Sequence, residues 1–447
     1  MAVKMQLKSL DLTNFHQFKH FSIDFDERLT VLVGNNGTGK SSILEAASIA
    51  IGCFCASFGV VRSEIKRNDA RVELHDLSGY SDRQEQYPVT VSAAGIVGDG
   101  EVATSTKWSQ SLLSSEGNMD NNWSDPIIRF SDECHQRVQS GDNGLILPIL
   151  AYYGTGRLWG SSKNGISNRR RTFSRFDGYK GAFDARTDKE QMLSWFFKMA
   201  VQDVQRAQSL KPSGESPVYV AVRKAVELSF KAITGANQVN VTYNLDADDL
   251  DFEYITKSGD LERMLLGNLS DGYRTTLSMF ADIAYRMALL NPMLGEEVLS
   301  TPGIVLIDEI DLHLHPLWQA RILGDLRSIF PEVQFIVTTH ALTVISSVAA
   351  KHIRILKGGE TADKLKGEIL GSDVGRVLIS VMDAPERPVQ IQKLFDEFYD
   401  LLDKGDLVQA RGLLSDIESQ IGSDDTELVS ATTALALEEA DTSYVAD

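Results

Sequence analysis

The chain has 447 residues, 43% of them hydrophobic and 24% charged, and a formal net charge of −18. That size and apolar content suit a cytoplasmic enzyme of two or three structural units, each able to bury a core. No apolar run reaches the ~18 residues of a membrane span, no basic-then-apolar leader opens the chain, and three cysteines (Cys53, Cys55, Cys134) are too few for a disulfide framework, which argues against membrane, exported and disulfide-stapled classes.

The first predicted unit is a buried strand at Thr30–Val33, a loop, and an apolar-faced helix over Ser41–Ile51. The loop, Gly34-Asn35-Asn36-Gly37-Thr38-Gly39-Lys40-Ser41, fits GxxxxGK[ST]. Between strand and helix, its backbone N–H groups converge on a helix N-terminus and make a phosphate cradle. The expected ATP contacts are Asn35, Asn36, Gly37, Thr38, Gly39, Lys40, Ser41 and Ser42, with Lys40 on the outer phosphates and the Ser41 hydroxyl on Mg²⁺. Cys53 and Cys55, at the end of that helix, read as packing rather than metal ligands.

Residues 71–110 hold short β-rich runs such as Tyr87–Val91. From about Ser161 to Ser216 the chain is polar and partly basic, with Arg169, Arg170, Arg171 and Arg175 close together; these suit nucleic-acid phosphates, an acidic partner or plain solvent. Asp188–Thr234 is helical in pattern, interrupted near Pro212-Ser213-Gly214, and lacks a sustained heptad, so the insertion is a compact helical lid rather than a long coiled coil. Asn268-Leu269-Ser270-Asp271-Gly272-Tyr273-Arg274 then opens a long amphipathic helix. Gly303–Ile307 is an apolar strand ending in Asp308 and Glu309, 268 residues after Lys40, and reads as a Walker B strand: Asp308 for Mg²⁺, Glu309 to orient or deprotonate the attacking water. Phe335-Ile336-Val337-Thr338-Thr339-His340 is a further strand, ending in a histidine. His313 and His315 alternate beside carboxylates, a metal-like spacing outweighed by their place in the turn after Asp308.

The order of phosphate loop, LS-x-G signature, strand ending in Asp-Glu, and strand ending in His resembles the ABC-type ATPases of the RecF and SMC kind. The resemblance covers about residues 1–360 and implies an α/β, two-lobed ATPase with mixed and parallel sheets, the helical lid, and a dimer, or a higher oligomer built from dimers, closed around ATP. It also implies that Ser270 and Gly272 cap the ATP held by another subunit, that Asp311 is the D-loop carboxylate, and that His340 senses the γ-phosphate. Asp308–Pro316 and Ala151–Arg157 narrow the likeness to the Septu anti-phage ATPases (PtuA), which work beside an HNH nuclease. Three departures stand out: His16 in Asn14-Phe15-His16-Gln17-Phe18 replaces the family's Arg or Lys, Ala341 follows His340 where Ser is usual, and no Q-loop glutamine is evident.

The last segment carries most of the charge: Asp383–Asp447 has 16 acidic against 4 basic residues, a net of −12. Ile391, Leu394, Phe395, Phe398, Leu401 and Leu402, then Leu407, Ala410, Leu413, Leu414 and Ile417, recur at helical spacing around Lys404-Gly405-Asp406, which gives an acidic helical hairpin suited to a basic protein partner or to packing on its own core. The expected division is therefore 1–160 (lobe I), 161–262 (lid), 263–360 (lobe II) and 361–447 (acidic helical region). The expected function is an ATP-hydrolysing dimer that regulates a partner nuclease in anti-phage defence. A RecF-like repair ATPase binding DNA directly and a module holding ATP as a slow structural ligand are the rivals.

Overall fold

The computed structural model describes residues 3–60, 63–77, 80–100, 103–120, 125–158, 173–184, 189–208, 214–382 and 387–445. Arg169, Arg170 and Arg171 lie outside them. Two compact units emerge, 1–372 and 373–447.

The first unit is built on a six-stranded sheet in the order Asp363–Lys364, Ile353–Leu356, Leu29–Gly34, Val333–Thr338, Gly303–Ile307 and Ile149–Tyr153. Its four inner pairings are parallel, and the short Asp363–Lys364 edge is antiparallel. Every residue of Leu29–Gly34, Val333–Thr338 and Gly303–Ile307 is buried, as expected of strands covered on both faces. A second, antiparallel sheet runs Phe18–Asp24, Val3–Phe15, Val89–Asp99, Thr104–Leu112 and Met119–Asp120, and its burial alternates along Val89–Asp99 because one face alone meets the core.

The helix Lys40–Gly52 lies between these sheets. A 19-residue stretch, Lys40–Phe58, is long and apolar enough to cross a membrane, but 78% of its most apolar window is buried in the protein, so its all-round hydrophobicity is that of a core helix. Three hydrogen bonds tie the layers. The Trp108 indole donates to the Ala50 carbonyl at 2.9 Å, and the buried Gln334 amide donates to Leu7 O (2.7 Å) and accepts from Leu7 N (2.9 Å).

The lid segment holds the helices Lys189–Ala207 and Pro217–Thr234, as the periodicity predicts, and in addition a three-stranded antiparallel meander, Gln238–Asn244, Asp249–Ile255 and Leu261–Leu265. The helical expectation for that stretch is corrected by its own alternation: Val241, Tyr243, Leu250 and Phe252 are buried and anchor the meander. The meander feeds directly into Ser270 and the helix Asp271–Leu290, which is buried continuously from Thr276.

The second unit has helices Val374–Met382, Val389–Asp403, Leu407–Ile421 and Thr426–Val445. The two helices of the expected hairpin share a core with the last helix: Phe395, Phe398, Ala410, Leu414, Ile417, Leu428, Ala431 and Leu435. Arg387 grips the start of that helix through both Asp425 oxygens at 2.8 Å, a bidentate pair.

The most costly feature to bury is an ion pair inside the signature helix. Asp282 and Arg286 have side chains 1% and 4% exposed and meet at 2.7 Å. Tyr153 donates to the same Asp282 oxygen at 2.8 Å, and Arg286 donates to the carbonyls of Gly178 and Lys180 at 2.9 Å. Removing one partner strands a buried charge, at about 3–5 kcal/mol, whereas replacing both with apolar groups of similar volume costs less. Urea unfolding should therefore rank Asp282→Ala as less stable than the double variant Asp282→Leu/Arg286→Met; the reverse order would mean that the pair is solvated in solution.

Candidate nucleotide site

The site residues converge at the carboxyl edge of the parallel sheet, where open α/β sheets place ligands. After Gly34 the chain turns through Gly37 (φ 80°) and Gly39 (φ 94°), left-handed conformations natural to glycine. Gly39 is also sterically fixed: a Cβ there would lie 1.7 Å from Gln17 Nε2 and 2.3 Å from the Phe18 ring. Gly39 then caps the helix, and the first helical turn contains no acidic side chain, so its N–H groups and dipole face no negative charge of their own. Asn35, Asn36 and Gly37 are exposed, as is Ser41, while Thr38 Oγ1 closes the loop by donating to Asn35 O at 2.9 Å.

Lys40 is 6% exposed and folds back over the loop, donating to Gly34 O at 2.8 Å and Asn35 O at 3.0 Å. Burial lowers its ammonium from the ordinary lysine value, and the carboxylates of Asp308, Glu309 and Asp311 work in the opposite direction. Asp308 is 3% exposed. Thr338 Oγ1 donates to Asp308 Oδ1 at 2.6 Å and accepts from Glu309 N at 2.7 Å, while Thr339 Oγ1 donates to Asp311 Oδ1 at 2.6 Å. Glu309 sits at φ 47°, a left-handed conformation uncommon outside glycine, which turns its side chain off the strand direction. His340 belongs to the same cluster: burial and the Lys40 charge lower its pKa against the pull of Asp311, Glu309 and Asp308, which favours the neutral imidazole near neutral pH.

Ser42, expected among the nucleotide contacts, is 8% exposed, and its hydroxyl is engaged by His16 Nδ1 (3.1 Å) and Gln17 Oε1 (3.3 Å). Among the described residues no hydrogen bond or ion pair joins the signature to the loop. Ser270 is exposed and makes no side-chain cap to its own helix, and Asp271 pairs with Arg274. Gly272 packs against the turn carrying His313, so closely that a Cβ would fall 2.3 Å from the His313 carbonyl oxygen. That contact gives Gly272 an intrachain reason to be glycine. Among the described residues no group of three or more His, Cys, Asp or Glu side chains could hold a metal, His313 and His315 included.

Sequence reasoning missed two sets of contacts here. The Thr338–Thr339 hydroxyls were legible only as strand residues, although two threonines immediately before the histidine were a visible signal. The His16 cluster was read only as a departure from the family pattern. His16 stacks on Phe15 with ring centroids 4.5 Å apart and reaches Asp69 at 3.3 Å and Glu45 at 3.6 Å.

Comparison with known proteins places the chain among ATPases. A family profile described as an AAA domain matches residues 9–211, and a second, "AAA domain, putative AbiEii toxin, Type IV TA system", matches 187–346. The "Retron Vc95 probable ATPase" of Vibrio cholerae serotype O1 biovar El Tor is 25% identical over 90% of this chain and 84% of its own length. The "Retron Ec83 probable ATPase" of Escherichia coli is 25% identical over 95% and 86%. The chain is an ATPase that resembles the RecF/SMC kind. Within that kind it resembles PtuA: the "Septu protein PtuA" of Bacillus mycoides (strain KBAB4) is 23% identical over 89% of this chain, which spans 47% of that PtuA.

The His16 cluster has a measurable consequence. The hydrogen bond to Asp69 raises the His16 pKa above its ordinary value, against burial and with help from the Glu45 and Asp69 charges. A folded-state value raised above the unfolded one contributes stability that is complete below the unfolded pKa and is lost as pH rises through the folded one. Melting temperature should therefore fall between about pH 6 and about pH 8 by more in the wild type than in His16→Gln. Parallel curves for the two proteins would remove His16 from the pH dependence.

Proposed function

We propose that the chain binds ATP with Mg²⁺ at residues 34–42 and hydrolyses it with Glu309 as the water-directing carboxylate, and that it does so to control a partner nuclease in anti-phage defence. The observation that carries the hydrolytic reading is the Thr338 hydroxyl, which holds Asp308 through its carboxylate and Glu309 through its backbone on the edge facing Lys40. The donor set suits a hard cation, because Ser41 offers an exposed hydroxyl at the helix start and Asp308 a carboxylate fixed by a neutral donor. Mg²⁺ held there would neutralise charge on the phosphates. In this reading Lys40 contacts the outer phosphates and the loop N–H groups of Asn35 to Ser42 wrap the inner ones. The neutral His340 then senses the terminal phosphate by hydrogen bonding.

In the same reading Ser270 and Gly272 complete the site of a second copy. Ser270 is exposed at a helix N-terminus and does not spend its hydroxyl on its own helix, and the Asp271 carboxylate of the first turn is paired with Arg274, which supports an anion contact there. The division into lobe I (1–160), lid (161–262), lobe II (263–360) and an acidic helical region (361–447) belongs to this reading too. The defence assignment is supported by the retron and Septu relatives, and an HNH-type nuclease is the partner the Septu likeness points to.

Two variants separate the roles. Lys40→Ala should weaken ATP binding at least about a hundredfold, the ~3 kcal/mol of a charged hydrogen bond. Glu309→Gln should keep binding and lose turnover by roughly 10²–10⁴-fold. Mixed with Ser270→Arg subunits, Lys40→Ala subunits should recover up to half of the activity, since one composite site per heterodimer stays intact. Titration calorimetry and steady-state rates read all three. Unchanged ATP affinity in Lys40→Ala would take that lysine out of the cradle, and formed heterodimers with no activity would end the two-subunit site.

The acidic unit supplies a further expectation. Its helices enclose their own core, so a chain ended at Ser372 should fold and bind ATP. Capture of an HNH-type nuclease, the proposed partner, by the full chain should weaken as salt rises and vanish with the shortened one. Equal capture by both forms would place the docking surface within residues 1–372.

A further inference from the structure

The meander Gln238–Asn244, Asp249–Ile255 and Leu261–Leu265 comes directly before the signature, and its middle strand faces two ways. Leu250 and Phe252 are fully buried on one face, where Phe252 stacks on Phe230 of the lid helix Pro217–Thr234 with ring centroids 4.7 Å apart. Glu227 of the same helix accepts from Val241 N at 3.1 Å, so the meander is fixed to the lid. Side chains alternate along a strand, which puts Asp249 and Asp251 on the opposite face, and these two are buried as well. A buried carboxylate requires donors, and both take one from the segment that leads to Ser270.

Asp251 accepts from Arg263 Nε at 2.7 Å and from Asn244 Nδ2 at 3.1 Å. Asp249 Oδ2 accepts from Gly267 N at 2.7 Å, and its Oδ1 accepts from Leu250 N at 3.0 Å. The antiparallel register accounts for the Gly267 bond. It pairs Asp251 with Leu265 and two residues on would set Asp249 opposite Gly267, but the strand ends at Leu265 and Leu266–Asn268 form a short 3₁₀ turn. The Asp249 carboxylate accepts the N–H that the next ladder bond would have used.

The fit is close, since a Cβ at Gly267 would fall 2.9 Å from Asp249 Oδ2. Leu266 and Leu269, both buried, anchor the same turn, and Leu269 N bonds back to Leu266 O at 3.3 Å. Ser270 follows at once. On its far side the chain is held by Gly272 on the His313 carbonyl and by Tyr273 against Trp318, with ring centroids 4.3 Å apart. Ser270 thus lies between two fixed points, and the upstream one is a charge-assisted hydrogen bond from the meander.

We propose that Asp249 is a positioning residue for the ATPase reaction: its carboxylate sets where the Ser270 hydroxyl stands and ties that placement to the lid helices. The proposal rests on the reading in which Ser270 completes the site of a second copy. Asp249 then acts on ATP held by the other chain and leaves binding at its own phosphate loop untouched.

Asp249→Ala should keep its ATP affinity in titration calorimetry and lose turnover roughly ten- to a hundredfold. Asp249→Asn, which keeps one carbonyl oxygen, should fall between, and Gly267→Ala, which pushes the turn off the carboxylate, should reproduce the loss. Melting temperatures identify which of the three stay folded, and turnover is compared among those. Subunit mixing separates positioning from a general structural role. With Lys40→Ala subunits, Asp249→Ala subunits should recover up to half of the activity, because one site keeps an intact loop and an intact signature. With Ser270→Arg subunits they should gain nothing over their own residual rate, because both defects lie on the same half of the site. Wild-type turnover in the folded variants would overturn the proposal, as would loss of ATP binding in Asp249→Ala. Recovery of Ser270→Arg but not of Asp249→Ala by Lys40→Ala subunits would also overturn it and leave the two-subunit site standing. Recovery of neither would remove the two-subunit site, and the proposal with it.

Discussion

The edge of the parallel sheet depends on one hydroxyl. Thr338 Oγ1 donates to Asp308 Oδ1 and accepts from Glu309 N, so a neighbouring strand fixes both acidic residues at the end of Gly303–Ile307. Burying a carboxylate removes the water that would donate to it, and here the Thr338 hydroxyl takes that water's place. The adjacent Thr339 does the same for Asp311, and Ile310 N bonds Thr338 O at 3.0 Å, so the whole acidic turn is stitched to the strand that carries His340.

A second constraint acts from the other side of the same sheet edge. Tyr153 pairs with Ile307 in register, and its carbonyl accepts from Asp308 N at 2.8 Å. Its hydroxyl meanwhile bonds Asp282 in the signature helix. One residue thus links the acidic turn by its backbone to the helix begun by Ser270 through its side chain. Arg286 carries the link on to Gly178, where a Cβ would lie 2.6 Å from Leu290 Cγ, so the chain approaches this helix as closely as a backbone can. A rotation of the helix would carry the Asp282–Arg286 pair with it and break the pair's bonds to Tyr153, Gly178 and Lys180, leaving buried polar groups without partners.

The motifs whose chemistry is local were legible in the sequence: the glycine spacing of the phosphate loop, the apolar strand into Asp308, and the helical periodicity at 189–234 and 391–417. Features set by partners distant in sequence were not. Thr338 meets Asp308 across 30 residues, Tyr153 meets Asp282 across 129, and Gln334 meets Leu7 across 327. No residue pattern near any of them advertises its mate. The helix Thr426–Val445 was missed for a different reason. Among its described side chains the buried ones are Leu428, Ala431 and Leu435, too small and sparse to stand out until Phe395 and Phe398 are placed opposite them. The 238–265 meander, by contrast, had a readable period of two and was lost to the expectation of a uniformly helical insertion.

Backbone strain shows where local rules yield to the site. Among the described residues the non-glycine positions with positive φ are Asn14, His16, Asp248, Glu309 and His313. Asp248 turns the meander at a hairpin, an ordinary use of an aspartate. The other four border the nucleotide edge: two in the turn that brings Gln17 against Gly39, and two in the acidic turn that meets Gly272. Each left-handed residue costs on the order of 1 kcal/mol and persists only where surrounding contacts over-determine it. Here the contacts are known: His16 is held by Ser42, Asp69 and Glu45, Glu309 by Thr338, and His313 by the packing of Gly272 on its carbonyl. Strain thus gathers on both sides of the phosphate loop, supported by bonds from three separate segments and by the packing of Gly272, so that these groups hold their places against one another.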